Sequence, residues 1–181
     1  DLDELRKGKN RLVPGEGARR KPAAFIIGEA PGAEEAMALR PFVGKSGRVL
    51  RQLMASAGLT TTGEANCWLT NVVKYRPPSN RTPTPQEIKW ARPYLRKEWE
   101  LVGKPELIIP VGAVALYAVM GKPTSIMASA GNPFRSESGR IVWPMLHPAY
   151  GLRNEVAREG MEKDWKYLGK RLKAGLYSAR Y

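Results

Sequence analysis

The chain has 181 residues, 43% of them hydrophobic, with 30 Lys and Arg against 17 Asp and Glu and a formal charge of +13. That length suits one well-filled core and an expected single domain over residues 1–181, and no segment approaches the ~20 apolar residues of a membrane span. Cys67 is the only cysteine, which excludes internal disulfides and a cysteine-ligated metal cluster and favours an intracellular setting, while the charge draws polyanions, nucleic acid foremost.

Residues 1–21 read as a basic N-terminal arm, richest in Arg, Lys and Gly from Arg6 to Lys21. Four apolar runs follow: Ala23 to Ile27, Cys67 to Val73, Leu107 to Val111 and Ile141 to Leu146. Each is short enough for a buried strand. Between them, helical periodicity marks Gly47 to Ala57, Pro85 to Val102 and Ala113 to Met120. A last amphipathic helix is expected over Val156 to Leu176, with Trp165, Leu168 and Leu172 on its apolar side. Strands alternating with helices give an α/β class, a three-layer α/β/α sandwich around a mainly parallel four-stranded sheet. The proline-rich stretch Arg76 to Pro85 reads as a stiff surface loop.

Chemistry-bearing residues sit where these strands end. Gly28-Glu29-Ala30-Pro31-Gly32 follows the first strand, with Pro41-Phe42-Val43-Gly44-Lys45-Ser46-Gly47 after it. Asn71 closes the core of the second strand, and His147-Pro148, holding the only histidine, follows the fourth. In a parallel sheet these ends share one edge, so the segments are expected to line one crevice. Gly44-Lys45-Ser46 is not a P-loop, because Leu39 stands where that motif needs glycine, and Gly28/Gly32 lacks dinucleotide-turn spacing. Lys45 and Ser46 at a helix start form a natural phosphate site.

Gly28-Glu-Ala-Pro-Gly32, Pro41-Phe-Val-Gly44, Thr70-Asn-Val-Val-Lys74 with Arg76-Pro-Pro, and His147-Pro-Ala-Tyr-Gly-Leu-Arg153 together resemble the uracil-DNA glycosylase superfamily. The nearest group is its family 4, the iron-sulfur type, whose third and fourth cluster cysteines are matched here by Tyr75 and Ala91. A cluster needs about four thiolates, so a cluster-free relative is expected, with Tyr75, Trp90 and Trp99 packing the vacated volume and no cofactor or metal.

The resemblance implies hydrolysis of the bond between uracil and deoxyribose in DNA, leaving an abasic site. The partner is uracil-containing DNA, and the protein is expected as a monomer. The base must leave the stack and enter a pocket, with Phe42 stacking on it and the Asn71 amide reading its N3–H and O4. His147 and the backbone N–H groups of Glu29 and Ala30 would meet the negative charge growing on uracil O2. Ala30 stands where a better-studied branch has a water-positioning aspartate, so Glu29 or Glu35 is the carboxylate left to serve. The DNA backbone falls to Lys45, Ser46, Arg76, Arg81 and Arg153, and Leu152 is the wedge that fills the hole left by the flipped base. A non-catalytic binding member and one that traps uracil covalently through its histidine stay open on this reading.

Overall fold

The computed structural model describes residues 11–175. Its strands are β1 (Glu16–Gly17), β2 (Ala24–Gly28), β3 (Cys67–Asn71), β4 (Leu107–Pro110), β5 (Phe134–Arg135) and β6 (Ile141–Val142). Its helices are α1 (Ala33–Ala38), α2 (Lys45–Ser56), α3 (Pro85–Leu101), α4 (Ala113–Met120), α5 (Ile126–Ser129) and α6 (Glu155–Lys173). Single 3-10 turns cover Pro78–Asn80 and Pro148–Leu152.

The sheet runs β1-β3-β2-β4-β6-β5. The four central strands are parallel, as expected, and the two outer ones are antiparallel two-residue additions. Sequence patterning missed those additions because two residues carry no periodicity; the ladder beside them makes them strands.

Alternation along the strands divides the core. Ala24 and Ile26 face one side with Leu50, Leu53 and Met54 of α2 and Trp165 and Leu168 of α6. Phe25 and Ile27 face the other, with Ile88, Leu95 and Trp99 of α3 and Ala115 and Ala118 of α4. A strand's period of two places successive residues in different layers, so β2, buried throughout, feeds both. The result is the expected three-layer sandwich. Trp165, fully buried, anchors α6, and truncation to Ala would cost about 3–5 kcal/mol.

The stretch expected as a free basic arm is partly built in. Val13 is buried, and its N–H donates to the Lys74 carbonyl at 2.8 Å. Glu16 and Gly17 pair with Leu69 and Trp68 of β3. Residues 1–10 of that arm lie outside the described residues, as does Leu176 at the expected end of α6.

Register positions the site. Gly28 pairs with Asn71, Ile27 with Pro110, and Val111 bridges to Met145. The chain therefore leaves β2, β3, β4 and the segment after β6 at one level along the carboxyl edge. Beyond β2 the ladder continues for two bonds, Val72 N–H to the Gly28 carbonyl (2.9 Å) and Val73 N–H to the Glu29 carbonyl (3.1 Å). These hold Glu29 beside the segment that follows Asn71.

Candidate active site at the carboxyl edge of the sheet

Gly28 is the floor on which the site is assembled. A Cβ there would stand 2.1 Å from Phe42 Cζ and 2.5 Å from Asn71 Oδ1, so only glycine lets both side chains close over the strand end. The Phe42 ring is buried, and its centroid lies 6.5 Å from that of His147 at a tilt of 37°. Three side chains separated by more than a hundred positions thus meet at one sheet edge.

Asn71 is 4% exposed, and its Oδ1 is buried with no hydrogen-bond partner among the described residues. Leaving such an acceptor unmade costs about 1–3 kcal/mol. A group with an N–H aimed at that oxygen would recover the loss.

Phe42 has φ of +53°, a left-handed conformation that costs a non-glycine residue about 1–3 kcal/mol. Its surroundings compel it. Glu35 accepts from the Gly32 N–H through Oε1 (3.0 Å) and from the Val43 and Gly44 N–H groups through Oε2 (3.1 and 2.6 Å). Arg51 donates to the Pro41 and Phe42 carbonyls at 2.6 and 2.8 Å. Gly47 lets α2 press against the same peptide, because a Cβ there would lie 2.2 Å from the Phe42 carbonyl carbon.

His147 precedes the turn Pro148–Leu152, and its Nδ1 accepts from the Ala149 N–H at 3.2 Å. With Nδ1 an acceptor, the proton of the neutral ring is on Nε2, which is left as a donor. Burial lowers the ring's tendency to charge, so the neutral form prevails at pH 7. Gly112 packs against the imidazole, and its N–H donates to the Met145 carbonyl (2.8 Å), fixing α4 against the histidine segment.

The two carboxylates differ. Glu29 is half-buried, and burial raises its pKa from the ordinary 4.5. Glu35 has both oxygens engaged by the three amides above, which tie it to the Phe42 loop.

The expected DNA-contact residues separate in the same way. Lys45 is exposed at the first turn of α2 with Ser46 beside it. Arg76 donates to Asn80 Oδ1 at 2.7 Å within its loop. Arg81, expected as a clamp, grips both oxygens of Glu87 at 2.8 and 2.7 Å, completing the start of α3, where Thr84 and Glu87 cap each other. Leu152 is half-buried, whereas Tyr150, two residues earlier, is 54% exposed. Leu152 and Arg153 line an open groove together with Glu155, Arg158, Glu159 and Glu162.

An iron-sulfur cluster does not fit these residues. Cys67 lies inside β3, its thiol donates to the Thr60 carbonyl at 3.3 Å, and burial pushes it up to about 12. Tyr75 and Ala91, at the matching ligand positions, offer no thiolate. The packing expected around them is also different: Trp90 is 50% exposed, while Trp99 is buried, bonds the Pro105 carbonyl and carries the Arg140 guanidinium 3.9 Å above its ring. Nearby, the Lys74 ammonium bonds Glu98, Thr70 Oγ1 and the Asn71 carbonyl, and Glu98 takes the Trp68 indole N–H at 2.9 Å. Among the described residues, no group of three or more His, Cys, Asp or Glu could hold a metal ion.

Residues 14–169 match the model of the uracil DNA glycosylase superfamily. The chain belongs to this superfamily. It is 37% identical over 173 residues to a type-4 uracil-DNA glycosylase of Thermotoga maritima, covering 92% of this chain and 88% of that one. A type-4 uracil-DNA glycosylase of Archaeoglobus fulgidus is 35% identical over 173 residues, 92% and 84% of the two chains. A DNA polymerase of Bacillus phage SP01 is 32% identical over 167 residues, which are 92% of this chain but 17% of the polymerase. Within the superfamily frame, sequence reasoning missed Glu16, Arg51, Lys74 and Glu98 as supports of the site. Two of them carried a signal: Glu16 as an acid isolated among basic residues, and Lys74 as the end of the motif that begins at Thr70.

Proposed function

We propose that this member of the superfamily is a monofunctional uracil-DNA glycosylase, hydrolysing the N-glycosidic bond of deoxyuridine in DNA and leaving an abasic site for base excision repair. The observation that carries this reading is the buried, unpartnered Asn71 Oδ1 beside the Phe42 ring over Gly28. Uracil supplies what that place lacks: a flat face for Phe42, an N3–H for Asn71 Oδ1 and an O4 for the same amide's NH2. Cytosine presents the opposite donor and acceptor pattern at these positions, so the amide would discriminate between them.

As the N1–C1′ bond breaks, negative charge gathers on the uracil ring and positive character on the sugar. His147 donates from Nε2 to uracil O2, with the Glu29 and Ala30 backbone N–H groups assisting, and one such donor typically contributes about 3–4 kcal/mol to the barrier reduction. Glu29 is the carboxylate that stabilises the cationic sugar and orients the water that attacks C1′. Water supplies the hydroxyl to C1′, and its second proton neutralises the departing uracil anion. Glu35 acts through Phe42 as a positioning residue. Lys74, held by three acceptors, is not presented as a nucleophile, in keeping with hydrolysis by water. DNA contacts fall to Lys45, Ser46, Arg76 and Arg153, with Leu152 filling the vacated stack beside the exposed Tyr150.

The test is an oligonucleotide with one uracil. Free uracil and an alkali-labile site are the expected products. Tight binding of that DNA by folded protein without base release, or a denaturation-resistant protein–DNA adduct, would overturn the proposal.

A further inference from the structure

Glu35 secures only half of the peptide that carries Phe42. Its oxygens hold the amides of Val43 and Gly44, while the carbonyls of Pro41 and Phe42 point to Arg51. The Arg51 guanidinium is itself held, by Thr61 Oγ1 at 2.8 Å and by Glu16 Oε1 at 2.6 Å. Glu16 is a shared acceptor that also takes two bonds from Arg40 and one from Thr61. It lies on β1, across β3 from the site, in a segment that sequence alone reads as a loose arm.

We propose that Arg51, locked by Glu16, is a positioning residue for the base-stacking ring, and that β1 is thereby coupled to the pocket. The proposal rests on the glycosylase reading above and deepens it. At Phe42 the left-handed backbone turns the Pro41 and Phe42 carbonyls toward one donor, and the Arg51 fork meets both at once. Without it the strained peptide loses what compensates its φ, relaxes toward negative φ, and the ring leaves Gly28 and Asn71. Lysine cannot substitute, because a single ammonium does not reproduce a planar fork reaching two carbonyls, a hydroxyl and a carboxylate together.

A purely architectural role for the same network predicts lower stability with an unchanged chemical step, so the test must separate the two. Arg51→Met, Arg51→Lys and Glu16→Gln are made in the native chain and again with Phe42→Ala. Single-turnover uracil release, KM and thermal midpoint are measured for each. In the native background, Arg51→Met should slow release at saturating DNA on the order of 10- to 100-fold, as expected for a misplaced reacting group. KM should move less than about threefold, with Arg51→Lys close to Arg51→Met and Glu16→Gln milder. With Phe42 already removed, the same substitutions should cost less than about twofold more, since the ring they position is gone.

Losses that multiply independently of Phe42, or a lowered thermal midpoint with unchanged release, would overturn the proposal. Should Arg51→Met fail to fold, Glu16→Gln carries the same comparison. If the native protein releases no uracil, the glycosylase reading fails on its own, and amide exchange then decides the clamp. Faster exchange at Val43 and Gly44 in Arg51→Met supports it, and unchanged exchange sinks it.

Discussion

At the scale of single residues, the site combines one unmet acceptor with one ring carried on a strained backbone. Asn71→Ala should reduce kcat/KM for uracil on the order of 100-fold or more while the fold persists, because the base-reading amide is lost and its burial no longer has a cost to recover. His147→Ala should lower kcat on the order of 100- to 1,000-fold, read in single-turnover assays. The pH profile has a definite sign. Burial holds His147 below its ordinary 6.5 and Glu29 above its ordinary 4.5, and the proposed mechanism uses both in the deprotonated form. Release should therefore be level at neutral pH and fall on the acid side, as Glu29 takes a proton and charging of His147 breaks the Ala149 bond to Nδ1. A rate that climbs on acidification would contradict both roles. Phe42 and Asn71 were legible in the sequence through the family resemblance, whereas the Glu35 clamp was not. Its partners are backbone amides, and amides leave no trace in residue type.

At the scale of elements, legibility followed burial. The four parallel strands stood out as apolar runs, and α2, α3 and α4 as periodic ones, because each packs a continuous apolar face. The short α1, α5, β1 and β5 were invisible, being set by caps and ladder partners rather than by their own sequence. Two junctions hinge on carboxylates, Glu16 on β1 and Glu87 at the start of α3. Burial pushes Glu16 up, but its bonds from Arg40 and Arg51 outweigh this and bring it to about 2. The Arg81 hydrogen bond likewise leads in bringing Glu87 to about 2. A carboxylate depressed on folding stabilises the native state above its unfolded value of 4.5 and loses that contribution as pH falls toward 2. Acid unfolding should thus steepen between those limits, and Glu16→Gln should flatten that portion of a stability-versus-pH curve. An unchanged slope would show that the Glu16 network does not survive in solution.

At the scale of the whole molecule, charge and topology address the same ligand from different distances. A charge of +13 draws DNA to the surface, and log affinity should fall linearly with log salt, by roughly 0.9 for each phosphate neutralised on duplex DNA. Lys45→Ala should shallow that slope by about one contact without altering base preference. The overall layering was readable from strand and helix alternation, but the built-in residues 11–21 were not, since a basic composition says nothing about where one acid among them will anchor.

Cys67, sealed in the central ladder with a thiol pushed up to about 12, is in effect a built-in gauge of integrity. A thiol-specific reagent should leave the native protein unmarked and modify it only as fast as the sheet comes apart. The rate of that labelling would then report how often the innermost layer opens, without any engineered probe.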